Sequence, residues 1–130
     1  MPHRKSDTIH NFSHLHERPP PEERLFRSEV IESVIERVSR DIEDSDIRQM
    51  FVQCFPNSLD TTVYYHKNAP GSLDDDSFIV TGDIPAMWLR DSTNQMWPYL
   101  PFANDDMELK SLFIGLINRQ AKCIVVDPYA

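Results

Sequence analysis

Two stretches of this sequence repeat apolar residues at the spacing of a single helix face, and they limit the folds open to it. Val30, Ile31, Val34, Ile35, Val38 and Ile42 form one stripe; Leu109, Leu112, Phe113, Leu116, Ile117, Ala121 and Ile124 form the other. Residues three and four apart share a face, so each stripe predicts a helix that another element must cover. Ser28 supplies an N-cap for the first helix, with Glu29 and Glu32 in its first turn, where the helix dipole favours acids. Glu36 and Arg40 form an i,i+4 pair on its outer face. A second helix is expected after Ser45 or Asp46, with Ile47, Met50, Phe51, Cys54 and Phe55 on its apolar side and Pro56 as its stop. The last helix is expected to begin between Asn104 and Asp106.

Strand signals are brief. Thr61-Thr62-Val63-Tyr64-Tyr65 and Ser77-Phe78-Ile79-Val80-Thr81 are short β-type runs. Asn68-Ala69-Pro70-Gly71 and Asp74-Asp75-Asp76 between them mark an exposed loop. Two such runs are too few for a sheet-based domain, so the fold class is all-α. At 130 residues the chain is expected to hold one small domain.

The net charge of −8 arises beyond Arg24, because Arg4, Lys5, Arg18 and Arg24 balance Asp7, Glu17, Glu22 and Glu23. A negative surface repels phosphate backbones, which disfavours nucleic acid as a partner and leaves neutral glycans open. Cys54 and Cys123 each lie in an amphipathic stretch and read as unpaired core thiols. No Cys-x-x-Cys or His-Glu-x-x-His spacing suggests a metal centre. No run reaches membrane-spanning length, and the first residues lack the apolar core of a signal peptide, so the chain as given is expected in the cytoplasm. Residues 1–24 are polar and end near Pro19-Pro20-Pro21, the composition of a flexible tail. His10, His14 and His16 fall within it without thiolates or clustered carboxylates and read as no metal site, and the Asn11-Phe12-Ser13 sequon has no secretion signal to make use of it.

The chemistry is concentrated in Thr81-Gly82-Asp83-Ile84-Pro85-Ala86-Met87-Trp88-Leu89-Arg90-Asp91-Ser92, followed by Asn94, Gln95, Trp97 and Tyr99. Carboxylates and a guanidinium make paired hydrogen bonds to adjacent sugar hydroxyls, and an indole face covers the apolar C–H patch of a pyranose ring. A β-type run broken at Gly82 and Pro85 would carry these side chains on a bend at a cleft rim. Each residue also has a structural reading. Asp83 suits a turn or helix cap, Arg90 and Asp91 suit an ion pair between loops, and Trp88 and Trp97 taken singly suit a core.

The stretch from Thr81 to Gln95 resembles the signature of glycoside hydrolase family 125, Thr-Gly-Asp-Ile-x-Ala-Met-Trp-Leu-Arg-Asp-Ser-x-x-Gln. Pro56-Asn57-Ser58-Leu59-Asp60-Thr61-Thr62-Val63, Trp97-Pro98-Tyr99-Leu100-Pro101, and Leu116-Ile117-Asn118-Arg119-Gln120 leading to Asp127-Pro128-Tyr129-Ala130 are similar to further segments of that family. The resemblance covers roughly Arg18 to Ala130. It implies the N-terminal portion of an (α/α)6 six-hairpin glycosidase barrel, incomplete in this chain, with residues 25–130 as the first part of the catalytic domain. It also implies a metal-independent, exo-acting, inverting α-1,6-mannosidase without a cofactor, acting on α-mannoside glycans.

Under that resemblance Asp83, Trp88, Arg90, Asp91 and Gln95 are expected to bind the terminal mannose. An inverting hydrolase needs two carboxylates about 6.5–9.5 Å apart flanking the bond. The family's general acid and general base are expected beyond Ala130, so Asp83 and Asp91 are not assigned those roles and the chain alone is expected to be inactive. A severed part of a helical ring would leave apolar helix faces uncovered, which predicts self-association. The alternative is a non-catalytic helical binding or interaction module.

Overall fold

Ser28 caps the first helix as its side chain allows: Oγ accepts the Ile31 N–H at 3.3 Å and donates to the Asp106 carboxylate at 2.5 Å. Asp106 is itself the N-cap of the last helix, accepting from the Glu108 and Leu109 N–H groups at 2.9 and 3.2 Å. The two apolar stripes are thus joined end to end through their caps. This computed structural model describes residues 17–70 and 72–129. The first sixteen residues of the expected tail, with His10, His14, His16 and the sequon, lie outside the described residues.

In chain order the described elements are a 3-10 turn at Pro21–Glu23, α1 (Glu29–Asp41), α2 (Ser45–Cys54), α3 (Asn57–Thr62), β1 (Val63–Lys67), β2 (Asp76–Ile79), α4 (Leu89–Met96), a 3-10 segment at Trp97–Phe102, and α5 (Met107–Val126). The fold is mostly helical. The strands pair antiparallel as a two-stranded sheet, with α5 packed chiefly on β2. Val63 pairs with Ile79 and Tyr65 with Phe78, so the register slips by one residue at Tyr64, a β-bulge.

One core unites these elements. Ile31 and Ile35 of α1, Leu59 of α3, Val63 and Ile79 of the strands, Met96 of α4, Tyr99, and Leu109, Leu112 and Leu116 of α5 pack together out of water. Removing such side chains from water stabilises the fold by about 1.5–3 kcal/mol each. Both stripes therefore feed this one core, α1 beside the 3-10 segment at Trp97–Phe102 and α5 against the sheet. The expectation that these particular faces lie bare is corrected at Ile31, Val34, Ile35, Leu109, Leu112 and Leu116, which are buried, although Ile117 remains exposed.

Three further expectations change. Thr61 and Thr62 end a short helix instead of starting a strand, because Thr61 and Thr62 turn their hydroxyls back onto the Asn57 and Ser58 carbonyls four residues earlier. No residue of α2 is buried: Ile47 and Met50 are exposed, and Phe51 and Phe55 are only partly covered. Cys54 and Cys123 are free thiols, yet Cys54 is exposed and Cys123 only partly buried, so neither belongs to the core.

The boundary of the expected tail also moves. Arg18 binds Glu32 through Nη1 and Nη2 at 2.8 and 2.6 Å, and Asp60 through Nε and Nη2 at 2.5 and 3.0 Å. Burial disfavours the Arg18 charge, but these paired bonds outweigh it and raise its pKa above the ordinary value. The Arg18 bonds hold Glu32 below the usual carboxylate range. Leu25 and Phe26 then run beside α3, their N–H groups bonding to the Asp60 and Leu59 carbonyls. Residues 18–24 are thus anchored to the folded body, and composition misassigned them because proline and charge resemble a linker until a partner carboxylate is placed beside them.

Candidate carbohydrate site

The signature begins where β2 ends. Val80 still bonds through its N–H to the Thr62 carbonyl at 2.8 Å, after which the chain leaves the sheet. Thr81 then closes a loop on itself: its N–H and its hydroxyl both donate to the Ala86 carbonyl, at 2.9 and 3.1 Å. The same hydroxyl oxygen accepts the Trp88 N–H at 2.9 Å. Within the loop, Ala86 N–H reaches the Ile84 carbonyl at 2.7 Å. Gly82 adopts φ +130°, a conformation that side chains disfavour, which explains a glycine at the turn out of the strand.

The loop delivers the chain directly into α4, whose first turn holds Arg90 and Asp91. Asp91 there meets the positive end of the helix dipole. Arg90 Nη2 lies 3.5 Å from Asp91 Oδ2, with the two side chains 84% and 45% exposed. The pair lies within one turn and does not tie separate loops together. Trp88, at 58% exposure, and Trp97 are both outside the core, so the core reading of these indoles does not apply.

Asp83 and Trp88 on the bend and Arg90 at the start of α4 therefore face solvent, with Asp91 beside them half-buried. Trp88 also borders a recess of about 240 Å³ shared with Ala86, Met87, Leu89, Cys123 and Asp127. Gln95 differs from the other four. Its amide Nε2 donates to the Val80 carbonyl at 3.2 Å, so it holds the base of the bend, and it lines a separate groove of about 550 Å³ against α2.

Two residues not singled out as site residues support the arrangement. Thr81 is the clamp just described. Gln120 reaches from α5 to the Leu89 carbonyl at 3.2 Å and to the Ser92 and Thr93 hydroxyls, both at 2.9 Å, fixing the start of α4. A threonine at the exit of a β-type run was the available signal for the first. Gln120 ends the family-like segment Leu116-Ile117-Asn118-Arg119-Gln120, but its role was not legible because its partners lie about thirty residues away. Among the described residues no group of three or more His, Cys, Asp or Glu side chains could hold a metal ion, and no helix is long and apolar enough to cross a membrane.

The sequence model of the metal-independent α-mannosidases, glycoside hydrolase family 125, matches residues 44–130. The chain belongs to that family. Its match contains α2 through α5 and hence the whole bend of the family 125 signature. The chain is also 43% identical over 113 residues to the meiotically up-regulated gene 157 protein of Schizosaccharomyces pombe. That match takes in 87% of this chain and 22% of the yeast protein, so this family 125 chain spans about a fifth of its relative's length.

Proposed function

We propose that this chain is the N-terminal portion of an inverting, exo-acting α-1,6-mannosidase with the six-hairpin barrel architecture, and that its bend forms part of the wall that receives the terminal mannose. The observation that carries the reading is the display of Asp83, Trp88, Arg90 and Asp91 together on the family signature, held from behind by Thr81, Gln95 and Gln120. The carboxylates accept hydrogen bonds from sugar hydroxyls, Arg90 donates to sugar oxygens, and the Trp88 face covers ring C–H groups. Trp88 would press the ring against the bend, while the carboxylates and Arg90 set its rotation by fixing which hydroxyls meet donors and which meet acceptors. Positioning of this kind lowers the barrier only when acid and base are also present, on opposite sides of the glycosidic bond. Those two carboxylates belong to residues outside this chain, which makes hydrolysis a property of the longer protein.

The test uses α-1,6-mannobiose. This chain alone is expected to release no mannose, while a chimera in which it replaces the matching segment of the S. pombe protein is expected to release mannose with inverted configuration. Turnover by the chain alone would transfer catalysis to Asp83 or Asp91. An inactive chimera beside an active yeast parent would overturn the reading. It would favour the second one, a non-catalytic helical binding module, for which the continuous core from α1 to α5 is the supporting observation.

A further inference from the structure

We propose that Gln120 is a positioning residue for the pair Arg90 and Asp91, acting through the face of α4 that its amide grips. The inference rests on the reading that this pair meets the terminal mannose.

Helix α4 has little of its own to fix its rotation. It is eight residues long, and it starts on Trp88, whose side chain makes no capping hydrogen bond. The hold comes from α5. Gln120 Nε2 lies 2.9 Å from the Ser92 and Thr93 hydroxyl oxygens and 3.2 Å from the Leu89 carbonyl oxygen. Leu89, Ser92 and Thr93 stand at i, i+3 and i+4, which is one face of a helix. At about 100° per residue, Arg90 and Asp91 fall on the remaining side. Ser92 is buried, whereas the Arg90 and Asp91 side chains are 84% and 45% exposed. The amide that grips the inner face therefore decides where the outer pair points.

The two residues before Gln120 hold the other limb of the bend. Asn118 Nδ2 donates to the Leu73 and Asp75 carbonyls at 2.6 and 2.9 Å. Arg119 donates to both carboxylate oxygens of Asp76, the first residue of β2, at 2.8 and 2.7 Å. One turn of α5 thus carries both the strand that enters the bend and the helix that leaves it. Gln120 sets α4 against a strand that Arg119 has already placed.

The site requires a donor. The Ser92 and Thr93 hydroxyls donate to the Leu89 carbonyl at 3.2 and 2.8 Å, so their oxygens are left to accept, and the carbonyl can only accept. A side chain meeting these three oxygens must bring hydrogens, and an amide nitrogen brings two. A carboxylate here would turn the hydroxyls away from Leu89 or push the helix round. A rotation of about 20° carries a group about 6 Å from the helix axis through roughly 2 Å. Misplacement of about 1 Å can cost on the order of a hundredfold in rate, so a small rotation is enough to matter.

The experiment is kinetics on α-1,6-mannobiose in the chimera, with thermal melts of each variant. Gln120→Leu is expected to lower kcat/KM about tenfold. Added to Arg90→Ala and Asp91→Asn together, it is expected to change kcat/KM by less than about twofold, because no pair is left to position. A full tenfold loss in that background overturns the inference and makes Gln120 a scaffold residue. Gln120→Glu tests the need for a donor within one folded protein. Its defect relative to the unsubstituted chimera is expected to shrink as the pH falls and the introduced carboxyl regains an O–H, and a ratio constant with pH overturns the inference even where Gln120→Leu fails to fold. Unchanged kinetics in Gln120→Leu beside a crippled Arg90→Ala also overturn it and leave the terminal-mannose reading standing. An inactive chimera, or unchanged kinetics in both Arg90→Ala and Asp91→Asn, overturns that reading and this inference with it.

Discussion

Gly115 of α5 lies against Ser77 of β2 so closely that a β-carbon on it would stand 2.8 Å from the Ser77 backbone nitrogen and nearer still to the Ser77 hydroxyl. The helix can approach the strand only because this position has no side chain. Strand β2 runs from this contact into the signature bend, so the placement of the bend depends on the approach.

Gly115→Ala is accordingly expected to destabilise the chain by about 1–3 kcal/mol, although alanine is the better helix former. Thermal unfolding followed by circular dichroism would show it as a lower melting temperature. Equal or raised stability would mean that α5 and β2 can part without cost.

Ser77 also begins a chain of hydrogen bonds with one consistent polarity. The Asp75 carboxylate can only accept, so Ser111 donates to it and offers its oxygen to His66 Nε2–H at 3.5 Å. His66 Nδ1 then accepts from the Ser77 hydroxyl at 2.9 Å. Burial lowers the His66 pKa, opposed by the charges of Glu108 and Asp75. The unfolded chain therefore binds a proton more readily, and the His66 contribution to stability is full above the ordinary value of 6.5 and is lost as the pH falls from there through the lower folded value. The loss is bounded by about 1.4 kcal/mol per pH unit. His66→Gln should flatten the pH dependence of the melting temperature in that window. Asp75, held low chiefly by the Ser111 bond, acts in a separate window, its stability lost as the pH falls below its ordinary 3.8.

Arg18→Ala should cost about 2–3 kcal/mol, because it strips the bidentate partner from Asp60, whose side chain is 1% exposed. Arg24, with Nε 4.0 Å from Asp60, offsets part of the loss. Chemical denaturation would measure the change. A value near zero would return residues 18–24 to the status of a linker.

Arg90→Ala and Asp91→Asn should behave in the opposite way. Their side chains project into solvent, so each is expected to change stability by no more than about 0.5 kcal/mol. In the active chimera each should lower kcat/KM roughly tenfold or more, the loss of one charge-assisted hydrogen bond to substrate. Wild-type kinetics in both variants would reduce the pair to surface charge.

Self-association is expected through α2 instead of α1, since Ile47 and Met50 stay exposed beside the groove that Phe51, Phe55 and Pro98 line. Light scattering should report a mass above the monomer's 15.2 kDa that falls toward it in Met50→Lys. A monomeric mass in the unsubstituted chain would overturn this expectation.

What the sequence by itself determined here is local in origin. Ser28 and the stripe behind it specify α1, the periodic leucines specify α5, and a fifteen-residue signature specifies the family, because spacing and capping act over one or two turns. Even the bend was legible as Gly82 and Pro85 interrupting a β-type run. Only the tertiary structure decided which apolar stripe is covered, since α2 carries a stripe much like that of α1 and burial depends on which partner arrives. It also decided that Gln95 faces inward while Arg90 faces out, though both lie on α4. The anchoring of Arg18, the polarity of the His66 chain and the bare contact at Gly115 have the same source. Each joins groups far apart in the chain, and such pairings follow from the packing of α5 against β2 and of α3 against the entering segment, not from any neighbour in sequence.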